Sequence, residues 1–274
     1  MPVVTISSDS YRWGREIAVR AATALGYDCV DREILKAVAD RYGVSESDLH
    51  KALDESPSPF GISSHNHVKY LAYIEEATLA LLLKDNVVCH GLAAQLYVRG
   101  VSHALKIRIL ADPHKLAGEI SSGRMPSFKK VSTLLKRREK FRRRWSLAAY
   151  RIDETDPSTH DMVISLTQIE PDEAVRTIAE TARYRKFKPM TYSIKCLKDK
   201  ALAGIVRVVL LDQFPDVRVQ VDGSSVVVQT KALEREKHRR TEVIKELVGD
   251  IPGVTAVEVK IIPDIFREAT ESFR

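Results

Sequence analysis

The chain has 274 residues, of which 44% are hydrophobic and 29% charged, a balance near the globular average that excludes a disordered or low-complexity protein. That length exceeds one core of ordinary size and predicts two domains. The net charge of +6 suggests an anionic partner, yet the excess is concentrated between residues 129 and 151 and not spread along the chain. The longest apolar runs, at 79–83 and 205–211, are far too short for a bilayer, and the first residues carry no basic-then-apolar leader, so a soluble cytoplasmic protein is expected. Cys29, Cys89 and Cys196 are odd in number and scattered, which argues against disulfides and zinc.

In chain order, Val3, Val4, Thr5 and Ile6 predict a buried strand. A helical stripe follows over 15–25 (Ile17, Ala18, Ala21, Ala22, Leu25) and stops at Gly26. Further short strands at 28–30, 86–89, 105–110 and 162–164 alternate with helical patterns, the signature of a doubly wound parallel sheet. Ser56 to Gly61 breaks the helical signal and opens a loop carrying His65 and His67, ahead of a helix over 68–83. With no third ligand nearby, solvated loop histidines outweigh a metal site, and no metal ligand is assigned.

Residues 184–189 read as a linker, after which the pattern changes. A helix over 193–214, strands at 217–221 and 226–229 around the Asp222-Gly223 turn, a charged helix over 233–248 and a strand over 256–262 predict a small α+β domain. The expected domains are therefore 1–183 and 190–274.

A strand, a tight glycine loop and a helix N-terminus make an anion site, because backbone N–H groups and the helix dipole both face the phosphates. The full phosphate-loop pattern needs Gly, four residues, then Gly-Lys-Ser/Thr; here those places hold Asp9, Gly14, Arg15 and Glu16. The surrounding segments add specificity: Ile6-Ser7-Ser8, Gly14-Arg15-Glu16-Ile17-Ala18, Leu25-Gly26-Tyr27, Asp31-Arg32-Glu33-Ile34-Leu35 and Gly91-Leu92-Ala93-Ala94-Gln95. Downstream come Ile107-Arg108-Ile109, Asp156-Pro157-Ser158, Asp161-Met162-Val163-Ile164 and Glu170-Pro171-Asp172-Glu173-Ala174-Val175. Together, over residues 1–180, they resemble the cytidylate kinase-like family.

That resemblance implies a P-loop kinase-like doubly wound parallel sheet with a helical lid, moving a phosphoryl group from ATP to a nucleoside monophosphate with Mg²⁺ as cofactor. It implies that Ser8, Gly14, Arg15 and Glu16 hold the ATP, that Asp31, Arg32 and Gly91 meet the acceptor, and that Arg15, Arg143 and Arg144 are catalytic, the last two from the lid. A surface arginine capping a helix start is the competing reading of Arg32. Two departures stand out. Ser10-Tyr11-Arg12-Trp13 occupies a stretch that is glycine-rich in the family, and bulky side chains obstruct a cradle that needs positive φ angles. Leu92 stands where the family's third strand has the arginine of Gly-Arg-Gly.

The basic run over 136–144 falls at the lid position, with a solvated helix face as its plain alternative. A nucleic-acid patch, with Phe141 and Trp145 stacking on bases, rests on charge alone and is the least supported partner. The last domain is similar to the BON domain, which implies a protein or phospholipid partner. Two functions stay open: a phosphotransferase, and a catalytically impaired protein that senses a nucleotide or other anion.

Overall fold

A computed structural model describes residues 2–57, 62–119 and 128–264 of the chain. Its first sheet is built from β1 (Val3–Ser8), β2 (Asp28–Val30), β3 (Val87–His90), β4 (Ala104–Leu110) and β5 (Met162–Ser165). They run in the order β2-β3-β1-β4-β5, and every pairing is parallel. Parallel strands need crossover helices on both faces, which explains why β1 and β3 are buried almost throughout rather than alternating.

Helix α1 (Tyr11–Leu25) lays Ile17, Ala18, Ala21 and Ala22 on one face of the sheet, beside α8 (Pro171–Ala182). It ends at Gly26, whose left-handed φ of 70° stops the helix without strain. The opposite face carries α2 (Ile34–Tyr42), α3 (Glu46–Asp54), α4 (Ser64–Leu82), α5 (Ala94–Tyr97) and α7 (Phe128–Tyr150), packed around Leu35, Leu49, Leu53, Ile74 and Trp145. Each fully buried leucine or isoleucine contributes about 1.5–3 kcal/mol, so these two layers carry most of the stability. A short helix, α6 (Pro113–Glu119), follows β4.

The chain then runs through a turn at Arg185–Phe187 that buries Phe187 against the α1 and α8 layer, so the segment read as a linker is anchored at that point. Beyond it come α9 (Thr191–Leu210), β6 (Arg218–Asp222), β7 (Ser225–Ala232), α10 (Lys237–Gly249) and β8 (Ala256–Pro263). β6 and β7 form an antiparallel hairpin around Gly223, and β8 adds to β7 in parallel. The helix, hairpin, helix and strand expected from the sequence thus stand in that order, over a core of Val206, Leu210, Val226, Val228, Ile244 and Val248.

Helix α9 also packs on α4. A Cβ on Gly204 would stand 3.5 Å from the Glu76 backbone, while Arg207 pairs with Glu75 at 2.8 Å. Among the described residues no helix is long and apolar enough to cross a membrane.

Candidate functional site

In open parallel sheets, ligands bind beyond the carboxyl ends of the strands where the chain reverses direction, here at the tips of β1, β3 and β4. Only Asp9 and Ser10 separate the end of β1 from the first turn of α1. The phosphate loop expected over 9–14 is therefore helical from Tyr11 onward. Gly14 N–H donates to the Ser10 carbonyl at 3.0 Å, a helix bond. Tyr11, Arg12 and Trp13 favour right-handed backbone, so the helix starts early and the N–H groups that a wrapped loop would present lie along its first turns.

Gly14 has a packing reason to be glycine. A Cβ there would stand 2.2 Å from Ser8 Oγ and 2.4 Å from His90 Nε2. Ser8 Oγ gives its proton to the Ser10 carbonyl at 2.9 Å, so the His90 contact of 3.0 Å is an Nε2–H donation. Burial, reinforced by the nearby Arg32 charge, lowers the His90 pKa to about 4 and keeps the ring neutral.

Ser8, Arg32 and Gly91 line one cleft of about 330 Å³, and Gly14 is buried behind Ser8. Arg32 Nε donates to the Gly91 carbonyl at 3.1 Å, and its Nη atoms grip the two Asp54 oxygens at 2.6 and 2.7 Å. Tyr11 covers this corner, its ring 5.1 Å from the Arg32 guanidinium and 5.0 Å from the His90 ring. Gly91, at φ +74°, passes so close beneath Tyr11 that a Cβ would meet the ring at 2.9 Å.

The other residues picked out by the sequence face elsewhere. Arg15 is partly exposed and ion-pairs with Asp31 at 2.5 Å and with Glu33. Glu16 faces Arg20 at 3.5 Å on the outer surface of α1. Arg143 pairs with Asp153 at 2.9 Å in solvent, and Arg144 is exposed. From the same basic run Arg142 turns inward.

Arg142 holds the Glu154 carboxylate bidentately, donates to the Leu53 carbonyl at 3.0 Å and stacks over Trp145 at 4.4 Å. Glu154, 1% exposed, also accepts from Gln95 Nε2 at 2.9 Å. Trp145 is fully buried and donates Nε1–H to the Ala52 carbonyl at 2.9 Å. Its burial takes it out of the base-stacking patch considered from the sequence. His67 also departs from expectation: it lies in the first turn of α4, buried, with Nε2 at 2.9 Å from the Glu55 carbonyl. Burial lowers its pKa.

On the floor of the cleft lie Ser7 and Arg108, the latter 4% exposed and in register with Ser7 across β1 and β4. In the sequence Arg108 stands out only within the Ile107-Arg108-Ile109 segment. Its signal was a charge inside an apolar strand, between Ile107 and Ile109, which burial makes costly unless it has a task. Ser7 Oγ lies 3.1 Å from His160 Nε2, and burial with the Arg108 charge lowers the His160 pKa to about 4.

The sequence profile of the cytidylate kinase-like family matches residues 3–168, more than half of the chain. The chain belongs to the cytidylate kinase-like family. Among solved structures, a protein from Eubacterium ventriosum ATCC 27560 is 14% identical at a TM-score of 0.48, covering 68% of this chain and 100% of its own. Shikimate kinase from Bacteroides thetaiotaomicron is 11% identical at a TM-score of 0.40, covering 67% of this chain and 99% of its own. No curated protein sequence matches the chain.

Membership in the kinase-like family implies use of nucleotide and metal in general, and the residues here can be tested against ATP and Mg²⁺. They fit poorly. The start of α1 lacks a wrapped loop, and Glu16 faces Arg20. Leu92, in the place of the family's third-strand arginine, is fully buried in the core. Within the cleft the Asp54 and Glu154 carboxylates are held by arginines, and among the described residues no group of three His, Cys, Asp or Glu side chains converges for a metal ion.

Proposed function

We propose that this protein binds a nucleotide or a related phosphorylated ligand in the cleft without transferring its phosphoryl group, and acts as a regulatory member of a kinase-like family. The observation that carries this reading is the junction of β1 and α1. Two residues join strand to helix, and Gly14 N–H is committed to the Ser10 carbonyl, so a triphosphate finds no backbone cradle. The BON-like resemblance of the C-terminal unit suggests the output, contact with a protein or a lipid headgroup. Its helix α9, packed on α4, offers a route from the kinase-like part to that surface.

A phosphotransferase is the second reading. It is favoured by the arginines at the cleft, Arg32, Arg108, Arg138 and Arg142, since phosphoryl transfer rests on such charge stabilisation. A coupled assay with ATP, Mg²⁺ and a panel of nucleoside monophosphates separates the two. Calorimetry with the same ligands runs beside it. Binding without turnover is expected; turnover abolished by Arg15→Ala would establish the enzyme instead.

A further inference from the structure

We propose that Arg108 anchors an oxyanion subsite on the cleft floor, and that the ligand group it takes is a single phosphoryl group, free or esterified, and not a triphosphate. The inference rests on the binding reading above and names the chemistry of the ligand.

Side chains alternate along a strand, so with Ile107 and Ile109 in the α1-side core, Arg108 is turned to the cleft side of β4. Its guanidinium has five N–H donors in a fixed fork. Among the described residues its one hydrogen bond is from Nη1 to the Glu154 carbonyl, long at 3.5 Å, and it forms no ion pair. Of the other cleft arginines, Arg32 and Arg142 are each clasped by a carboxylate and Arg138 is exposed at the rim. Arg108 is more deeply buried than either, and the carboxylates whose charge reaches it, Asp9 and Asp153, form no ion pair with it among the described residues. A buried charge without a hydrogen-bonded counter-ion is unfavourable, and an anion entering the cleft would supply that direct contact.

The surroundings suit a phosphoryl group. Thr159 Oγ1 donates to the Asp156 carbonyl at 2.7 Å, so it accepts from His160 Nδ1–H at 3.0 Å. His160 Nε2 is then an acceptor, and Ser7 Oγ–H, which also reaches the Ile107 carbonyl at 3.4 Å, is its donor at 3.1 Å. Ser7 can turn that proton to a ligand oxygen instead. The start of α1 opens on the same cleft through Asp9 and Tyr11, and its cap residue Ser10 makes no side-chain bond to the first helical N–H groups. Burial raises the pKa of the Asp9 carboxyl, opposed by its hydrogen bond from Ala111 N–H and by the Arg108 charge. An arginine fork, a hydroxyl and a helix terminus approaching from different elements match a tetrahedral anion better than a planar one. At about 330 Å³ the cleft is near the lower end, roughly 300 Å³, of small-molecule sites, enough for a sugar phosphate or nucleoside monophosphate.

The test is calorimetry on the full chain at fixed ionic strength with inorganic phosphate, CMP and ATP, for wild type, Arg108→Gln and Arg108→Lys. We expect phosphate or CMP to bind the wild type, Arg108→Gln to weaken binding roughly 10- to 100-fold, and Arg108→Lys to recover part of the loss. CMP binding above phosphate identifies the ester as ligand; equal affinities identify the free anion. Arg108→Gln binding as tightly as wild type overturns the assignment and leaves the binding reading standing, as does ATP binding more than tenfold tighter than CMP. No binding of any ligand to the wild type overturns both. Should Arg108→Gln fail to fold, ¹⁵N-arginine spectra of the wild type decide the matter: the Arg108 Nε–H signal shifts on adding phosphate, and an unmoved signal counts against the proposal.

Discussion

Arg32 and Asp54, from the segment after β2 and the last residue of α3, face each other through two hydrogen bonds of 2.6 and 2.7 Å, so the arginine that the resemblance assigns to an acceptor phosphate already holds a carboxylate. The geometry is the fork-to-carboxylate pairing that an acceptor phosphate would otherwise take. An acceptor phosphate at Arg32 would have to displace Asp54 from the same donors.

Asp54→Ala should therefore tighten binding of CMP or phosphate by about 3- to 10-fold, since it frees two charged donors at the cleft. Stability should change by less than about 1 kcal/mol, because the Asp54 side chain is half exposed and the pair is screened by solvent. Calorimetry beside urea unfolding separates the two effects. Weaker binding in the variant would mean that Asp54 positions Arg32 for the ligand instead of competing for it.

Gly14→Ala tests the packing role of the glycine. Alanine gains about 1 kcal/mol of helix propensity, but its Cβ would overlap Ser8 Oγ and His90 Nε2, and overpacking of this kind costs typically 1–3 kcal/mol. A net loss of stability in urea is expected, with the strand-to-helix junction displaced. A variant more stable than wild type would show that the contact with Ser8 relaxes freely.

Glu154→Ala should be the most damaging of these changes. It strands the Arg142 guanidinium and the Gln95 amide in a buried setting and removes the tie between α7 and the cleft floor. A loss of about 3–5 kcal/mol is expected. Arg142→Met combined with Glu154→Leu should recover a large part of it, as a double-mutant cycle in urea would show.

Acid should destabilise the fold before the bulk of the carboxylates titrate. His90 and His160 are held neutral down to about pH 4, whereas an unfolded histidine takes up its proton near 6.5. The unfolded state thus binds more protons between those values, and stability falls as the pH drops from about 6.5 toward 4. Unfolding at pH 5 should take up as many as about two protons through this pair, and His160→Asn should reduce the slope. A flat profile from pH 7 to 5 would contradict the neutral assignments.

Much of the architecture was readable in the chain. Apolar runs such as Val3 to Ile6 and Val87 to Cys89, punctuated by Gly26 and by Asp222-Gly223, follow from local periodicity and turn chemistry, and they predict both sheets with their strands in order. The helical start at Tyr11 was only half visible. Tyr11, Arg12 and Trp13 signalled trouble for a phosphate cradle, but the close fit of Gly14 against Ser8 and His90 depends on how α1 docks on the sheet.

The sequence by itself determined a parallel kinase-like sheet, its family and the phosphate-loop residues that depart from it, because those properties depend on neighbouring residues and their period. The tertiary structure alone decided which charges face one another. Arg32 meets Asp54, Arg142 meets Glu154, and Ser7 meets His160 from the far end of the kinase-like region, whereas Arg108 forms no ion pair among the described residues. These outcomes depend on side chains brought together by folding over long stretches of chain, and burial turns each such pairing, or its absence at Arg108, into the chemistry of the cleft.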